Sequence, residues 1–229
     1  MNFYDKFPLF YHSTRATAAR INKRYHAIIS ANKALFAGKH VLDIASHDGR
    51  WSFAALEAGC ASVVGIEGRR HFVDSANANF RQYGIESSRY DFICADAIDY
   101  LKRNRIRADV VLLLGFFYHI NCHAELAALM AQTGASHIIL DTGVAADAGP
   151  VIRLTEEPTS LQSNAIGEAP TAIVGSPSRE AIDMIFRHVG FAAQEIDWMP
   201  ILNEYGPEGV EDYASRNRTT FVLRRSVQL

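Results

Sequence analysis

Short apolar runs ending in an acid or a glycine alternate with amphipathic stretches along most of this 229-residue chain. KHVLDIA, ASVVGIE, RYDFICAD, ADVVLLLG and SHIILD predict five strands within residues 38–141. The fourth is a continuous apolar run, the pattern of a strand buried on both faces. Between them, SHDGRWSFAALEAG, FVDSANANFRQYG, a short polar segment through Tyr100 and NCHAELAALMAQTG predict helices. Such alternation predicts a mostly parallel sheet with helices on both faces. Ahead of it, residues 1–12 are aromatic and irregular. Residues 14–35 carry an apolar stripe of Ala18, Ile21, Tyr25, Ile28 or Ile29, and Leu35, which predicts one helix stopped at Gly38.

The rhythm breaks after Asp141. Residues 142–177 are punctuated by glycine and proline, with VIRLT and TAIVG as short candidate strands, and read as an insertion, a hairpin or a lid. Ser178 caps a helix over REAIDMIFRHVG, FAAQEIDW is a sixth strand, 199–216 a polar loop and RTTFVLRR the last strand. The expected organisation is one domain: an N-terminal helical lid (1–37), a cofactor-binding half (38–141), the insertion (142–177) and a C-terminal helix with a closing hairpin (178–229).

Composition narrows the classes. With 48% hydrophobic and 21% charged residues, neither a disordered nor a fibrous chain is expected. A net charge of −2 announces neither a nucleic-acid nor a membrane partner. Of 23 basic residues only five are lysine, so the chain is rich in guanidinium forks suited to carboxylate or phosphate. Three cysteines without a CxxC spacing point to free thiols in a reducing compartment. No basic-then-apolar leader and no membrane-length apolar run is present, so the expected location is the cytoplasm. Nine scattered histidines, with only His119 and His123 at helical spacing, predict no metal site.

The candidate chemistry gathers at strand ends. Asp43 closes the first strand, Gly49 opens the next helix, and Glu67 ends the second strand 24 residues after Asp43. A carboxylate at that place can accept both hydroxyls of a ribose. A dinucleotide loop would read G-x-G-x-x-G, and AlaSerHisAspGly holds one glycine, which favours a nucleoside cofactor without phosphates. His47 and Asp48 sit in the turn and Trp51 just beyond it. Tyr118 and His119 follow the buried fourth strand, at the carboxyl end where open sheets bind ligands, and an imidazole there suits a base near neutral pH.

These segments resemble the class I S-adenosylmethionine-dependent methyltransferases. VLDIASHDGRWSFAALEAG is similar to their first motif, VVGIEG to the second, CADA to the third, and VVLLLGFFYHI to the fourth strand with its substrate-facing loop. The resemblance implies a Rossmann-like, doubly wound α/β sheet of seven strands with the last pair antiparallel. It implies S-adenosyl-L-methionine as cofactor, held by Asp43, Ala45, His47, Gly49, Trp51, Glu67, Gly68, Asp96, Ala97 and Gly115. His119 and Tyr118 are the expected catalytic pair. Tyr11, Arg15, Arg153 and Trp198 are the expected substrate contacts, Tyr11 on an aromatic lid with Phe3, Tyr4, Phe7, Phe10 and His12. Arg20 and Arg24 share one side of the following helix with Arg15, either gripping an anionic group or forming a solvated face. The expected reaction is methyl transfer to an oxygen or nitrogen of a small polar metabolite, with arginines suited to an anionic one. Two alternatives stand beside it. A tRNA or other macromolecular methyltransferase requires a positive face joining residues 15–24 to the basic run 102–107; a non-catalytic binding protein would keep the fold alone. Nucleic acid and membrane are not expected partners, and a homodimer is left open.

Overall fold

The computed structural model describes residues 2–14, 16–161 and 169–226. Chain order begins with a single 3-10 turn at Tyr4–Lys6, α1 (Leu9–His12) and α2 (Ala18–Arg24). The cofactor half follows as β1 (His40–Ile44), α3 (Arg50–Glu57), β2 (Ser62–Glu67), α4 (Arg70–Gln82), β3 (Tyr90–Cys94), α5 (Ala97–Arg103), β4 (Val110–Leu114), α6 (His123–Gln132) and β5 (His137–Gly143). Then come β6 (Ile152–Pro158), β7 (Thr171–Pro177), α7 (Arg179–His188), β8 (Phe191–Glu195), α8 (Met199–Tyr205), α9 (Glu211–Ala214) and β9 (Arg218–Arg225).

Seven strands form one sheet in the order β3-β2-β1-β4-β5-β9-β8. β1 to β5 are parallel to one another, and β9 runs antiparallel between β5 and β8. Val110, Val111, Leu112 and Leu113 of β4 are fully buried, as a central strand covered on both faces requires. Strand order diverges between β1 and β4, and that switch point opens a crevice at the carboxyl ends of these strands.

The N-terminal third departs from the one-helix expectation. Thr17 caps α2 through the backbone N–H of Arg20, so regular helix starts at Ala18 rather than residue 14. After Arg24 the segment widens into a π turn (Tyr25–Ile29) and then tightens into 3-10 (Ser30–Leu35). Asn32 leaves helical geometry at φ −110° and ψ 20°, and its side-chain amide donates to the carbonyls of Ala27 and Ile28. Short amide side chains that bond local carbonyls compete with the helical ladder in this way.

The N-terminal aromatics are core rather than a lid over the cleft. Tyr4 and Phe10 are fully buried, Phe3 stacks on Tyr25 at 3.9 Å, and Phe7 meets Phe53 of α3 at 4.6 Å and Tyr83 at 5.3 Å. Large rings bury most area by packing on other rings, and α3 supplies them. Residues 199–216, expected as loop, hold α8 and α9, with a proline in the first turn of α8 where its missing N–H costs nothing.

The insertion is an antiparallel hairpin, β6 with β7, in a two-stranded sheet of its own. β7 lies against the turn at 117–119, and Nε2 of His123 bonds the carbonyl oxygen of Gly175 at 2.8 Å. Ser178 caps α7 through the N–H of Ala181. Among the described residues no helix is long and apolar enough to cross a membrane.

Candidate functional site

β1 ends in Ile44, and the chain then turns through Ala45, Ser46, His47, Asp48 and Gly49 into α3. Ala45, His47 and Gly49 all have positive φ, at 59°, 54° and 80°. The loop thus keeps the left-handed backbone of a glycine turn with alanine and histidine at two of its three positions. Each such non-glycine residue costs on the order of 1 kcal/mol. At Gly49 a Cβ would meet the rings of Phe80 and Phe92 at 2.9 Å, so packing as well as φ demands glycine there. Ala45→Gly is therefore expected to raise stability by about 0.5 kcal/mol, the released strain exceeding the entropy glycine adds to the unfolded chain. A lowered urea midpoint would show that the turn at Ala45 is unstrained.

Asp43 lies beneath this loop. It is 1% exposed and accepts from Ser52 Oγ at 2.7 Å, which ties it to the start of α3. Burial pushes its carboxyl up to about 7, against the bonds from Ser52. Because the folded pKa lies above the unfolded one, the stability Asp43 contributes is complete below the unfolded pKa and is lost as pH rises through about 7. Asp43→Asn removes that loss. Its stability relative to wild type is expected to improve by about 2 kcal/mol between roughly pH 5.5 and pH 8.5. A difference that stays flat across this range in thermal melts would refute it.

Glu67 ends β2 at 2% exposure. Its Oε2 accepts from the His47 backbone N–H at 3.0 Å and Oε1 from that of Arg69 at 2.9 Å. Burial raises its pKa, opposed by these amides. Two backbone donors fix the carboxylate and leave lone pairs on both oxygens for further donors. Gly65, two residues earlier, keeps the floor open for Phe92 and Ser46: a Cβ there would meet the Phe92 ring at 2.5 Å and Ser46 Oγ at 2.7 Å. Ser46 Oγ is buried without a hydrogen-bond partner. Buried carboxylate, orphaned hydroxyl and left-handed loop together fit a polar nucleoside-sized group. Gly68 follows Glu67, and its carbonyl oxygen lies 3.8 Å from Cys94 Sγ. Asp96 caps α5, its Oδ1 accepting from the Asp99 N–H at 2.8 Å, and Ala97 is buried beside it.

A cleft of about 250 Å³ opens where β1 and β4 end. Ala45, His47 and Trp51 line it from the first loop, and Leu114, Gly115 and Tyr118 from the fourth. Its remaining walls are Thr14, Arg20 and Arg24 from the N-terminal segment, with Arg50 and Arg218. His47 lays its ring on Phe72 at 3.6 Å. Arg24 covers the Trp51 ring at 4.9 Å. The aromatic lid expected from sequence is replaced by this helix wall, and Arg20 and Arg24 face the cleft rather than bulk solvent.

Tyr118 lines the cleft; His119 does not. The His119 ring lies 4.0 Å from that of Tyr118, its Nδ1 buried without a partner, and burial lowers its pKa. The Arg218 guanidinium lies over the Tyr118 ring, 5.3 Å from its centroid.

The expected substrate contacts lie elsewhere. Tyr11 donates its hydroxyl to Asp5 at 2.7 Å and receives the Asn22 amide at 2.8 Å, within the N-terminal aromatic layer. Arg153 is on the exposed hairpin, paired with Asp147 at 2.7 Å. Trp198 is buried, stacked on Tyr213 at 3.6 Å beside a separate hollow of about 470 Å³. Arg15 lies outside the described residues.

What sequence reasoning missed is the support behind the arginines. Asp141 at the end of β5 is fully buried; its Oδ1 accepts from Arg24 at 2.9 Å and Arg218 Nε at 2.7 Å, and its Oδ2 from the hydroxyls of Tyr213 and Thr220, both at 2.7 Å. Burial raises its pKa, but Arg218 and Arg24 outweigh this and hold it at about 2. Asp48, also fully buried, takes Arg50 Nε at 2.7 Å and Nη2 at 2.9 Å, and Ser13 Oγ bonds the same carboxylate. Against the cost of burial, Arg50 and His47 keep it well below the usual carboxylate range. An acid closing the strand SHIILD was a signal for Asp141; nothing local marked Arg218. Among the described residues no group of three or more His, Cys, Asp or Glu is placed to hold a metal ion.

Comparison with known proteins agrees with this geometry. The family model for a methyltransferase domain matches residues 41–134. The ribosomal RNA large subunit methyltransferase K/L of Syntrophotalea carbinolica is 30% identical over 81 residues, 35% of this chain and 11% of that protein. The chain thus spans about a tenth of the length of the curated relatives it matches. A solved S-adenosylmethionine-dependent methyltransferase from Mesorhizobium loti superposes with a TM-score of 0.64 at 16% identity, covering 89% of this chain and 98% of that one. The N-terminal domain of EvdMO1, crystallised with SAH and D-fucose, gives 0.63 at 18% identity, covering 93% and 85%. The [4+2]-cyclase SpnF gives 0.62 at 17%, with the same coverage. The matched domain runs from β1 to α6, and the seven-stranded sheet around it has the fold of these solved structures.

Proposed function

We propose that this chain transfers a methyl group from S-adenosyl-L-methionine to an oxygen or nitrogen of a small polar metabolite. The observation that carries this reading is the pairing of a buried, amide-held Glu67 at the β2 tip with a small polar cleft at the neighbouring β1 and β4 ends. Glu67 would take the ribose hydroxyls, the turn from Ala45 to Gly49 would pass close to the amino-acid end, and Gly68, Asp96 and Ala97 would border the base. When bound, the cofactor supplies an electrophilic methyl on a sulfonium. The chain holds the acceptor in line: Tyr118, with Arg218 over its ring, lines the cleft, and His119 packs against Tyr118. The acceptor's lone pair forms the new bond as the sulfur–carbon bond breaks, and its proton leaves for a neutral base or water. Three free cysteines accord with a cytoplasmic setting.

A macromolecular substrate is the second reading, because the curated relatives are ribosomal RNA methyltransferases. Its required positive face is not built by the expected residues. Arg20 and Arg24 line the cleft at the carboxyl end of the sheet, whereas Arg105 and Arg107 precede β4 at the amino end. Lys102 is paired with Glu125 and Arg103 with Asp99. The cyclase SpnF is a reminder that a shared fold does not by itself fix the chemistry.

The test is transfer of labelled methyl from S-adenosylmethionine to a panel of small carboxylates, phenols and amines, with bulk tRNA and rRNA in parallel. Label should enter a small acceptor and not RNA. Tyr118→Phe should lower kcat by roughly tenfold or more, and His119→Ala by less than about tenfold, as befits a residue behind the cleft. Label in RNA alone would move the function to the second reading.

A further inference from the structure

The cleft is chemically one-sided. Among the described residues four guanidiniums line it, Arg20, Arg24, Arg50 and Arg218, and no carboxylate does. Each arginine is held from behind by an acid outside the lining. Arg20 forks onto Asp212 at 2.8 and 2.7 Å, Arg50 forks onto Asp48, and Arg24 and Arg218 crowd onto one oxygen of Asp141. Four cations thus face three anions. The Nε of Arg24 is buried with no acceptor, an unmet donor that costs about 1–3 kcal/mol.

Arginines braced in this way present fixed donor forks, the arrangement that matches a carboxylate or phosphate. Electrostatics points the same way. A sulfonium cation brought near a cluster with one guanidinium in excess of its acids is disfavoured unless an anion lies between them, since like charges in a partly dry cleft are screened far less than in water.

We infer that the methyl acceptor carries an oxyanion, carboxylate or phosphate, which this cleft seats on Arg20, Arg24 and Arg218. The inference rests on the methyl-transfer reading above. One other source of the same chemistry exists, the carboxylate of the cofactor's own amino-acid part, and the experiment separates the two.

The full chain, first titrated with S-adenosylhomocysteine and then saturated with it, is titrated with inorganic phosphate, with benzoate and with benzamide as the neutral counterpart. Binding is read from Tm and tryptophan fluorescence, with Trp51 in the cleft wall as the reporter. Phosphate or benzoate should bind the loaded protein saturably and benzamide should not. Arg24→Lys keeps a cation beside Asp141 but loses the fork; it should weaken the anion at least about tenfold while changing S-adenosylhomocysteine affinity by less than about threefold. Arg20→Gln, which leaves Asp141 untouched, should act in the same direction and guards against a folding failure of the first variant.

If S-adenosylhomocysteine binds but neither anion binds the loaded protein, the inference is wrong and methyl transfer stands. If the anions bind only without S-adenosylhomocysteine, and Arg24→Lys weakens that ligand itself about tenfold, the arginines serve the cofactor's carboxylate and the inference is again overturned. Anion binding indifferent to both folded variants overturns it too. If S-adenosylhomocysteine does not bind at all, the methyl-transfer reading falls, and the acceptor assignment with it.

Discussion

Asp141→Asn is expected to destabilise the protein by about 3–5 kcal/mol, because it leaves two buried guanidiniums without their counter-charge. The asparagine oxygen can still accept from one pair of donors, but its amide nitrogen must face the other, either the guanidiniums of Arg24 and Arg218 or the hydroxyls of Tyr213 and Thr220, and no charge remains to balance the arginines. For a chain of this size the melting temperature should fall by roughly 10 °C. Arg24→Gln is the control. It leaves Asp141 paired with Arg218, so its cost should be clearly smaller, on the order of 1 kcal/mol. Equal melts for wild type and Asp141→Asn would mean that the C-terminal strand and the N-terminal helix are held on the sheet by packing alone, and that the arginines are not braced.

Glu67→Gln should weaken S-adenosylhomocysteine binding about tenfold to hundredfold, the equivalent of losing charge-assisted bonds worth about 1.5–3 kcal/mol. The substituted amide keeps one acceptor oxygen, so one of the His47 and Arg69 N–H groups, which now bond different oxygens, would lose its acceptor. The melting temperature without ligand is therefore expected to fall by a few degrees, for an unmet buried donor costing about 1–3 kcal/mol, with a separate loss in affinity for the folded variant. A variant that melts much lower yet binds, once folded, as tightly as wild type would reduce Glu67 to a clamp for the 45–49 turn.

Strand positions were legible because a parallel sheet buried on both faces writes itself as short apolar runs, and β4 with its fully buried valines and leucines is the plainest of these. The strand-end loop was legible for the same reason: Asp43, Gly49 and Glu67 sit where apolar periodicity stops. Their division of labour was not. Whether an acid at a strand end faces ligand or helix depends on the neighbour it bonds, and Asp43 turns to Ser52 while Glu67 turns to the loop amides. The N-terminal aromatics read equally as lid or core; only the rings of Phe53 and Tyr83, distant in sequence, settle them as core.

The cleft was the least legible part. Its walls combine α2, the 45–49 loop, the end of β4 and the start of β9, so no local window contains them. Arg24 and Arg218 meet over Asp141 across 117 and 77 residues of chain. Helical spacing placed Arg20 and Arg24 on one side of α2 without saying what that side faces. Arg153 and Trp198, chosen for their places beside the insertion and at a strand end, fell on the outer hairpin and in a neighbouring hollow. Helices α8 and α9 escaped because at seven and four residues they are too short to write a helical period.

The most direct test of the whole account is calorimetric titration of the wild-type chain with S-adenosylhomocysteine. One-to-one, saturable binding in the micromolar range, weakened by Glu67→Gln, is the result predicted. A wild-type protein that is folded and monodisperse yet releases no heat of binding, and shows no rise in melting temperature with the ligand, would contradict it.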